Sequence, residues 1–168
     1  MMHRTDGPAW RDDVIQDFAR SELFERTFQE GMELVEETAS YLDGEGRQDS
    51  KLLSRNAALA YAAESMRLTT RLMQVASWLL VQRAVREGDM PPSSACEDRY
   101  RLAEEHNRDA DDGAEDLPSP LLMLLDRAER LYERVRHLDR RMYVESAADQ
   151  PANPVLTHLD RLKTAFGA

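Results

Sequence analysis

The longest helix-compatible stretch of the sequence, residues 49–87, carries two apolar stripes. Since successive helical residues are rotated by roughly 100°, Met73 and Val75 point about 200° apart, and the stripes lie on opposite sides. The first stripe, with a seven-residue repeat, is Leu52, Leu59, Met66, Met73 and Leu80. The second is Tyr61, Leu68, Leu72, Val75 and Leu79. An outer helix of a small bundle buries one stripe, so two stripes predict a further partner, most simply another copy of the chain.

We predict that the second stripe forms the centre of a homodimer interface, with Trp78 at its edge. For Trp78, packing in a core or a dimer is one interpretation, and an exposed contact point for another protein is the alternative. The predicted interface consists of Tyr61, Leu68, Leu72, Val75, Trp78 and Leu79.

The composition favours helices over strands. Apolar residues make up 42% of the chain and charged residues 32%, while Gly and Pro number seven each among 168 residues. Ala, Leu, Glu and Arg are abundant, and β-branched and aromatic residues do not cluster, which is typical of helical proteins. The length suits one domain. We therefore predict an all-α fold, an antiparallel up-down-up bundle of three helices with a long central helix, which forms a homodimer.

Local signals set the ends of the first predicted helix, over residues 21–42. Ser21 is a suitable N-cap, and Gly44 and Gly46 are expected to end the helix by supplying positive φ. Gly31 lies on its apolar stripe. Because a glycine inside a helix costs roughly 1 kcal/mol against alanine, its presence predicts a close approach of another helix.

Similar signals delimit the other two helices. Asp49 or Ser50 is expected to cap the central helix, and Gly88 followed by Pro91-Pro92 is expected to stop it. Ser119 is expected to cap the third helix, with Pro120 at its first position, because Pro is favoured there.

The chain divides into a polar leader, a bundle and a tail. Residues 1–20 are predicted to be a loosely docked arm, residues 21–145 the three-helix bundle, and residues 146–168 a tail with a possible short helix. Within the bundle, residues 89–118 lose apolar periodicity and are rich in acids, which predicts a flexible connection.

Arginines cluster on one flank of the third predicted helix, although the chain has a net charge of −10. This cluster is a hypothetical partner surface, and a nucleic-acid-binding regulator is the alternative function that it suggests. The net charge disfavours binding to nucleic acid or to an anionic membrane. A solvated face, or one docked on the acidic face of the first helix, is the simpler interpretation. The cluster consists of Arg127, Arg130, Arg134 and Arg141.

No residue pattern indicates catalysis, a cofactor or a metal. Cys96 is the single cysteine, the four histidines are scattered, and the Glu-x-x-His pairs of di-iron bundles are missing. Asn107, Asp109 and Asp111 have calcium-loop spacing, but Pro118 stands where that loop needs Glu. The N-terminus lacks the apolar core of a signal peptide. We therefore expect a cytoplasmic, non-enzymatic protein without cofactor.

Two blocks in residues 23–90 point to a family. The blocks VEETASYLDGEGR and ESMRLTTRLMQVASWLLVQRAV resemble the alphaproteobacterial regulator of CtrA degradation (RcdA) family. The resemblance covers the first two predicted helices. It implies a small, dimeric helical bundle that is not an enzyme and has no catalytic or cofactor residues.

The resemblance also implies a role in regulated proteolysis. Members of that family act as accessory adaptors of the ClpXP protease, together with CpdR-like and PopA-like proteins, and help to deliver CtrA-like transcription factors for degradation. They collect at a cell pole. A purely structural dimer with other cargo is a further possibility that the sequence leaves open.

Overall fold

The computed structural model describes residues 9–103 and 116–145, and these residues form helices joined by turns. The long helices are α2 (Glu22–Asp43), α4 (Arg55–Glu87) and α6 (Ser119–Arg140). The short ones are α1 (Ala9–Arg20), α3 (Glu45–Lys51) and α5 (Pro92–Ala95). A 3-10 turn covers Asp98–Tyr100, and a π-helical segment, Arg141–Glu145, continues α6. The predicted all-α class is confirmed.

Helix α6 runs parallel to α4, so the predicted up-down-up order is wrong. Arg71 of α4 pairs with Glu129 of α6, and further along both helices Gln82 pairs with Tyr143. Antiparallel neighbours follow from short connections. The connection here, residues 88–118, is long enough at ~3.3 Å per residue to return along the bundle before α6 begins.

Helix α2 runs opposite to both partners and is joined to α6 by ion pairs. Glu30 of α2 accepts a hydrogen bond from Arg134 at 2.5 Å, and Glu37 accepts one from Arg127 at 2.6 Å. The acidic face of α2 therefore meets the arginine-rich flank of α6, which is the docked arrangement considered for that flank.

The core lies where α2, α4 and α6 meet, and α1 covers one end of it. Ile15 and Ala19 of α1 are fully buried, and the Phe18 ring lies 5.9 Å from the Trp78 ring. In contrast to the expected loose arm, residues 9–20 are therefore a packed part of the bundle. The largest fully buried side chains include Ile15, Phe24, Leu34, Leu68, Trp78, Leu79, Leu121 and Leu131.

The helix ends follow most of the predicted local signals. The Ser21 side chain accepts a hydrogen bond from the Phe24 amide at 3.1 Å, which confirms the predicted cap of α2. Helix α4 begins later than predicted, because α3 occupies residues 45–51 and Ser54 caps α4 instead. Helix α6 begins one residue earlier than predicted: Ser119 is its first residue, Pro118 is in the cap position, and no side chain caps it.

The glycines at the two ends of the α2–α4 hairpin behave differently. Gly88 has φ of 81° and ends α4 as predicted. Gly44 ends α2 with φ of −111°, and no positive φ is found at Gly46, so that part of the prediction is wrong. Gly46 is needed for space instead, because an added Cβ would lie 2.5 Å from the Tyr61 hydroxyl and 2.8 Å from the Tyr41 carbonyl oxygen.

Several predictions fall on residues that lie outside the described ranges. These are the first residues of the leader, the calcium-like spacing at residues 107–111, the middle of the acidic connection and the whole tail, residues 146–168.

Gly31 lies at the contact of α2 with α4 and α6, as its position on the apolar stripe predicted. An added Cβ would lie 2.7 Å from Leu79 Cδ1 and 3.8 Å from Leu131 Cδ2. We expect Gly31→Ala to change the free energy of unfolding by less than about 1 kcal/mol, because the gain in helix propensity offsets the displacement of Leu79. Gly31→Leu should cost about 3 kcal/mol through overpacking.

Urea denaturation followed by circular dichroism measures both changes. Ala39→Leu is the matched control, because Ala39 is exposed on the same helix and the larger side chain meets no core. A Gly31→Leu protein as stable as the Ala39→Leu protein would contradict the close contact.

Candidate functional site: the open face of helix α4

The second stripe of α4 fills the core of a single chain. Leu68 and Val75 are 1% exposed and Leu79 is 0% exposed, and Leu72 and Trp78 are also buried, while Tyr61 is partly buried. Helices α2 and α6 cover this side of α4, and α1 packs on Trp78. These residues are therefore not a free surface, and their assignment to a dimer interface is corrected.

The first stripe of α4 is the one that remains open. Leu59 and Met73 are each 65% exposed, Met66 is 73% exposed and Leu80 is 51% exposed. Leu52 is also exposed, but it follows α3 and precedes α4. We name the exposed residues of α4 from Leu59 to Leu80 the open face. They are Leu59, Ala62, Ala63, Met66, Thr69, Thr70, Met73, Ser77 and Leu80.

The open face carries no charged residue, although every residue from 59 to 80 is described and 32% of the whole chain is charged. Its threonines are also turned inward: Thr69 donates its hydroxyl to the Ser65 carbonyl and Thr70 to the Met66 carbonyl, each at 2.9 Å. The threonines therefore present methyl groups to solvent. An apolar face of this length is typical of a protein–protein contact.

A groove of about 460 Å³ lies beside the open face. Thr70, Met73 and Ser77 belong to both, and the opposite wall is residues 99–103 of the connection between α4 and α6. The groove extends the apolar surface sideways from α4.

Residues 99–103 are held against the bundle by a buried carboxylate. Asp139 of α6, 4% exposed, accepts two hydrogen bonds from the Arg101 guanidinium, at 2.9 and 2.7 Å, and one from the Trp78 indole at 2.9 Å. The hydrogen bonds that Arg101 donates to Asp139 raise the pKa of Arg101. Three separate parts of the chain therefore meet at one charged pair.

Further hydrogen bonds stabilise residues 99–103 and the neighbouring end of α6. The Tyr143 hydroxyl accepts a hydrogen bond from Gln82 Nε2 at 2.7 Å, and burial raises the pKa of Tyr143. Tyr132 donates its hydroxyl to the Ala103 carbonyl at 2.8 Å. These hydrogen bonds fix residues 99–103 beside the open face.

The arginine cluster of α6 is partly neutralised within the chain. Arg127 and Arg134 pair with glutamates of α2, and Arg130 pairs with Asp126 one turn earlier at 2.9 Å. Arg141 also has an interaction within the protein. The four predicted partner-surface residues therefore lie near one another, but ion pairs occupy three of them.

Sequence reasoning missed Arg71, Gln82 and Asp139, which are buried polar residues on otherwise apolar stripes. Each of them lies three, four or seven residues from apolar residues of the same stripe, and this spacing was visible in the sequence. Asp139 follows Tyr132 by seven residues and Val135 by four, which places it on the inner side of α6. A charged residue at such a position requires a buried partner.

Metal clusters and membrane-spanning helices are not found in the described ranges. Residues 9–103 and 116–145 contain no group of three or more His, Cys, Asp or Glu side chains that could hold a metal ion. The same ranges contain no helix long and apolar enough to cross a membrane. Cys96 is a free, half-buried thiol, and burial raises its pKa.

Comparisons with known proteins identify the family. The family described as "Protein of unknown function (DUF1465)" matches residues 15–166. The crystal structure of RcdA from Caulobacter crescentus CB15 is 72% identical in sequence, with a TM-score of 0.65, over 77% of this chain and 98% of that chain. The chain belongs to the RcdA family. The predicted resemblance is thus confirmed, and no curated protein matches the chain.

The match to RcdA covers most of the described helices. The match to RcdA extends over nearly the whole of that chain, so it includes more than the two helices that carried the resemblance. The protein is accordingly a helical member of the RcdA family.

Proposed function

We propose that this RcdA-family protein is a non-enzymatic accessory adaptor that helps ClpXP to degrade a CtrA-like transcription regulator. It acts as a homodimer, together with CpdR-like and PopA-like proteins, in the cytoplasm and at a cell pole. The observation that carries the proposal is the 72% identity to RcdA over 98% of that chain.

The exposed apolar surface of the protein supports the proposed adaptor function. An adaptor needs faces that bind other proteins, and exposed apolar faces serve this purpose. The open face of α4 is such a face, and residues 99–103 widen it. Asp139 accepts hydrogen bonds from Arg101 and Trp78, and these bonds hold residues 99–103 beside the open face.

The alternative, a nucleic-acid-binding regulator, has less support. Binding to phosphates requires arginines that are free to displace counterions. Arg127 and Arg134 are paired with Glu37 and Glu30, and the chain has a net charge of −10.

A reconstituted degradation assay tests the adaptor proposal. ClpXP, CtrA and the CpdR-like and PopA-like partners are mixed with this chain in place of RcdA, and the CtrA half-life is measured on gels. We expect degradation to be several-fold faster with the chain than without it, because delivery raises the local concentration of substrate at the protease.

Two controls sharpen the result. The degradation rate of an unrelated ClpXP substrate should stay unchanged, which separates delivery of cargo from general activation of the protease. Arg26→Ala, a change at an exposed ion pair of α2, should leave the acceleration intact. An unchanged CtrA half-life with every partner present would refute the adaptor proposal.

A further inference from the structure

We propose that the tail docks in the groove beside α4 of its own chain, through an amphipathic helix over residues 154–166. The apolar side of this helix covers Met73, Ser77 and the wall formed by residues 99–103. The docking depends neither on the adaptor function nor on a homodimer. It is a contact within the chain that another protein has to displace before it reaches this part of the open face.

The groove suits an occupant that is apolar and brings a hydrogen-bond donor. Met73, Trp78, Val81 and Leu102 are among the residues that line its volume of about 460 Å³. The side-chain oxygen of Gln74, which also lines the groove, is buried and has no hydrogen-bond partner within the described residues. A buried carbonyl oxygen without a partner is costly, so a donor from outside these residues would stabilise the site.

The tail has the sequence of an amphipathic helix of matching length. Asn153 followed by Pro154 is a helix start signal, and Gly167 is suited to end the helix. Large apolar residues recur at spacings of four, three and four, which places them on one side of the helix. They are Val155, Leu159, Leu162 and Phe166. Along α4 the groove extends from Thr70 to Val81, so both the groove and this apolar side are about 17 Å long.

The last described residues lie beside the groove. The Tyr143 ring is 4.7 Å from the guanidinium carbon of Arg101, which belongs to the groove wall. The Tyr143 hydroxyl accepts a hydrogen bond from Gln82, the neighbour in sequence of Val81 at one end of the groove. Residues 146–153 can span about 26 Å at ~3.3 Å per residue, so the tail helix is able to begin at this end.

The short linker also favours one direction for the tail helix. Helices joined by short connections are usually antiparallel neighbours, and α6 runs parallel to α4. The tail helix is therefore expected to run antiparallel to both, with Val155 near Val81 and Phe166 near Thr70. The match to the family extends to residue 166, so this helix lies in the part of the chain that the family shares.

Charge and tethering favour the chain's own tail as the occupant. Residues 150–168 carry a net charge of +1 from Asp160, Arg161 and Lys163, with histidine counted as neutral, which leaves −11 for the rest of the chain. A weakly basic segment is attracted to an acidic body. A short linker holds the helix near the groove at an effective concentration of about 1 mM. Lys163, at the edge of the apolar side, can supply the donor for Gln74.

Thiol labelling of the full chain tests the docking. In a Cys96→Ser background, Ser77→Cys places one thiol at the groove, and its rate of reaction with a maleimide is measured by mass spectrometry. We expect Leu162→Asp, which puts a charge on the apolar side of the tail helix, to raise this rate about tenfold. That ratio corresponds to a helix at about 1 mM effective concentration that binds with a Kd of about 0.1 mM. Thr164→Asp, on the polar side of the same helix, is the matched control and should leave the rate unchanged.

Cross-linking tests the direction of the helix and the chain on which it docks. We expect Thr70→Cys and Phe166→Cys to be joined by a bismaleimide that spans the ~10 Å between the axes of packed helices. Thr70→Cys and Val155→Cys should not be joined, because antiparallel docking places Val155 about 17 Å further along α4. In a mixture of isotope-labelled and unlabelled chains, each link should join two peptides of the same isotope content.

Three results would overturn the proposal. Equal labelling rates with and without Leu162→Asp would mean that the tail does not cover Ser77. Linkage of Thr70→Cys to Val155→Cys and not to Phe166→Cys would mean the opposite direction. Links between labelled and unlabelled chains would mean that the tail docks on a partner copy. Acceleration of CtrA degradation is measured separately from all three, so the adaptor proposal does not fail with the docking.

Discussion

Leu79→Asp is expected to unfold the single chain and not merely to separate two folded copies. Leu79 is 0% exposed and contacts the position of Gly31 on α2. The substitution removes a buried leucine and places a carboxylate among apolar groups with no partner. We expect a loss of more than about 4 kcal/mol, a large part of the ~5–15 kcal/mol that stabilises a domain.

Circular dichroism at 222 nm during urea denaturation measures this loss. Met73→Asp is the matched control, because Met73 lies on the same helix and is 65% exposed; the control should keep the helical signal and its resistance to urea. A Leu79→Asp protein that is helical, monomeric and as resistant to urea as the control would restore the original assignment of the second stripe to the dimer interface.

Asp139→Ala is expected to cost about 3–5 kcal/mol of folding free energy. The substitution leaves the Arg101 guanidinium, the side chain of which is 20% exposed, without its carboxylate, and the buried Trp78 indole without an acceptor. Breaking one side of a buried ion pair has this cost because the remaining charge stays desolvated. Arg101→Ala should cost a similar amount, since it leaves Asp139 with the indole alone.

A double-mutant cycle measures the interaction. The combined Arg101→Ala and Asp139→Ala protein should lose at least about 2 kcal/mol less than the two single losses predict together, because each single change already breaks the pair. Arg83→Ala, at the exposed pair with Glu87, is the control and should change stability by about 0.5 kcal/mol or less. Strictly additive losses at residues 101 and 139 would show that the pair does not stabilise the protein as a unit.

The helix ends were predictable where the signal is local. The Ser21 cap, the left-handed Gly88 and the close contact at Gly31 depend on neighbours in the chain or on one helix face. Gly46 shows the limit of this reasoning, because its role comes from Tyr61 of another helix and not from its own φ.

The sequence pattern of α4 did not predict which of its two sides is buried. Both stripes of α4 are apolar, so periodicity alone does not say which one is covered. The stripe that is buried is the one on which α6 packs, and the contacts of α6 and its π-helical extension with α4 link residues 58 to 61 positions apart. The pairing of Arg101 with Asp139 could not be predicted either, because the two residues lie 38 positions apart in the chain. The inward position of Asp139 was predictable from its spacing to other inward residues of α6.

The length of the connection between α4 and α6, residues 88–118, also predicts the order of assembly. Helices α2 and α4 are joined through the short α3 segment, so their contacts close a small loop. Helix α6 has to close a much larger loop before it reaches Arg71 or Trp78, and large loops are slower to close. The hairpin of α2 and α4 therefore comes together first. Until α6 docks, this hairpin exposes the inner stripe of α4 as well as the open face. The docking of α6 is therefore the step that leaves α4 with one exposed apolar face.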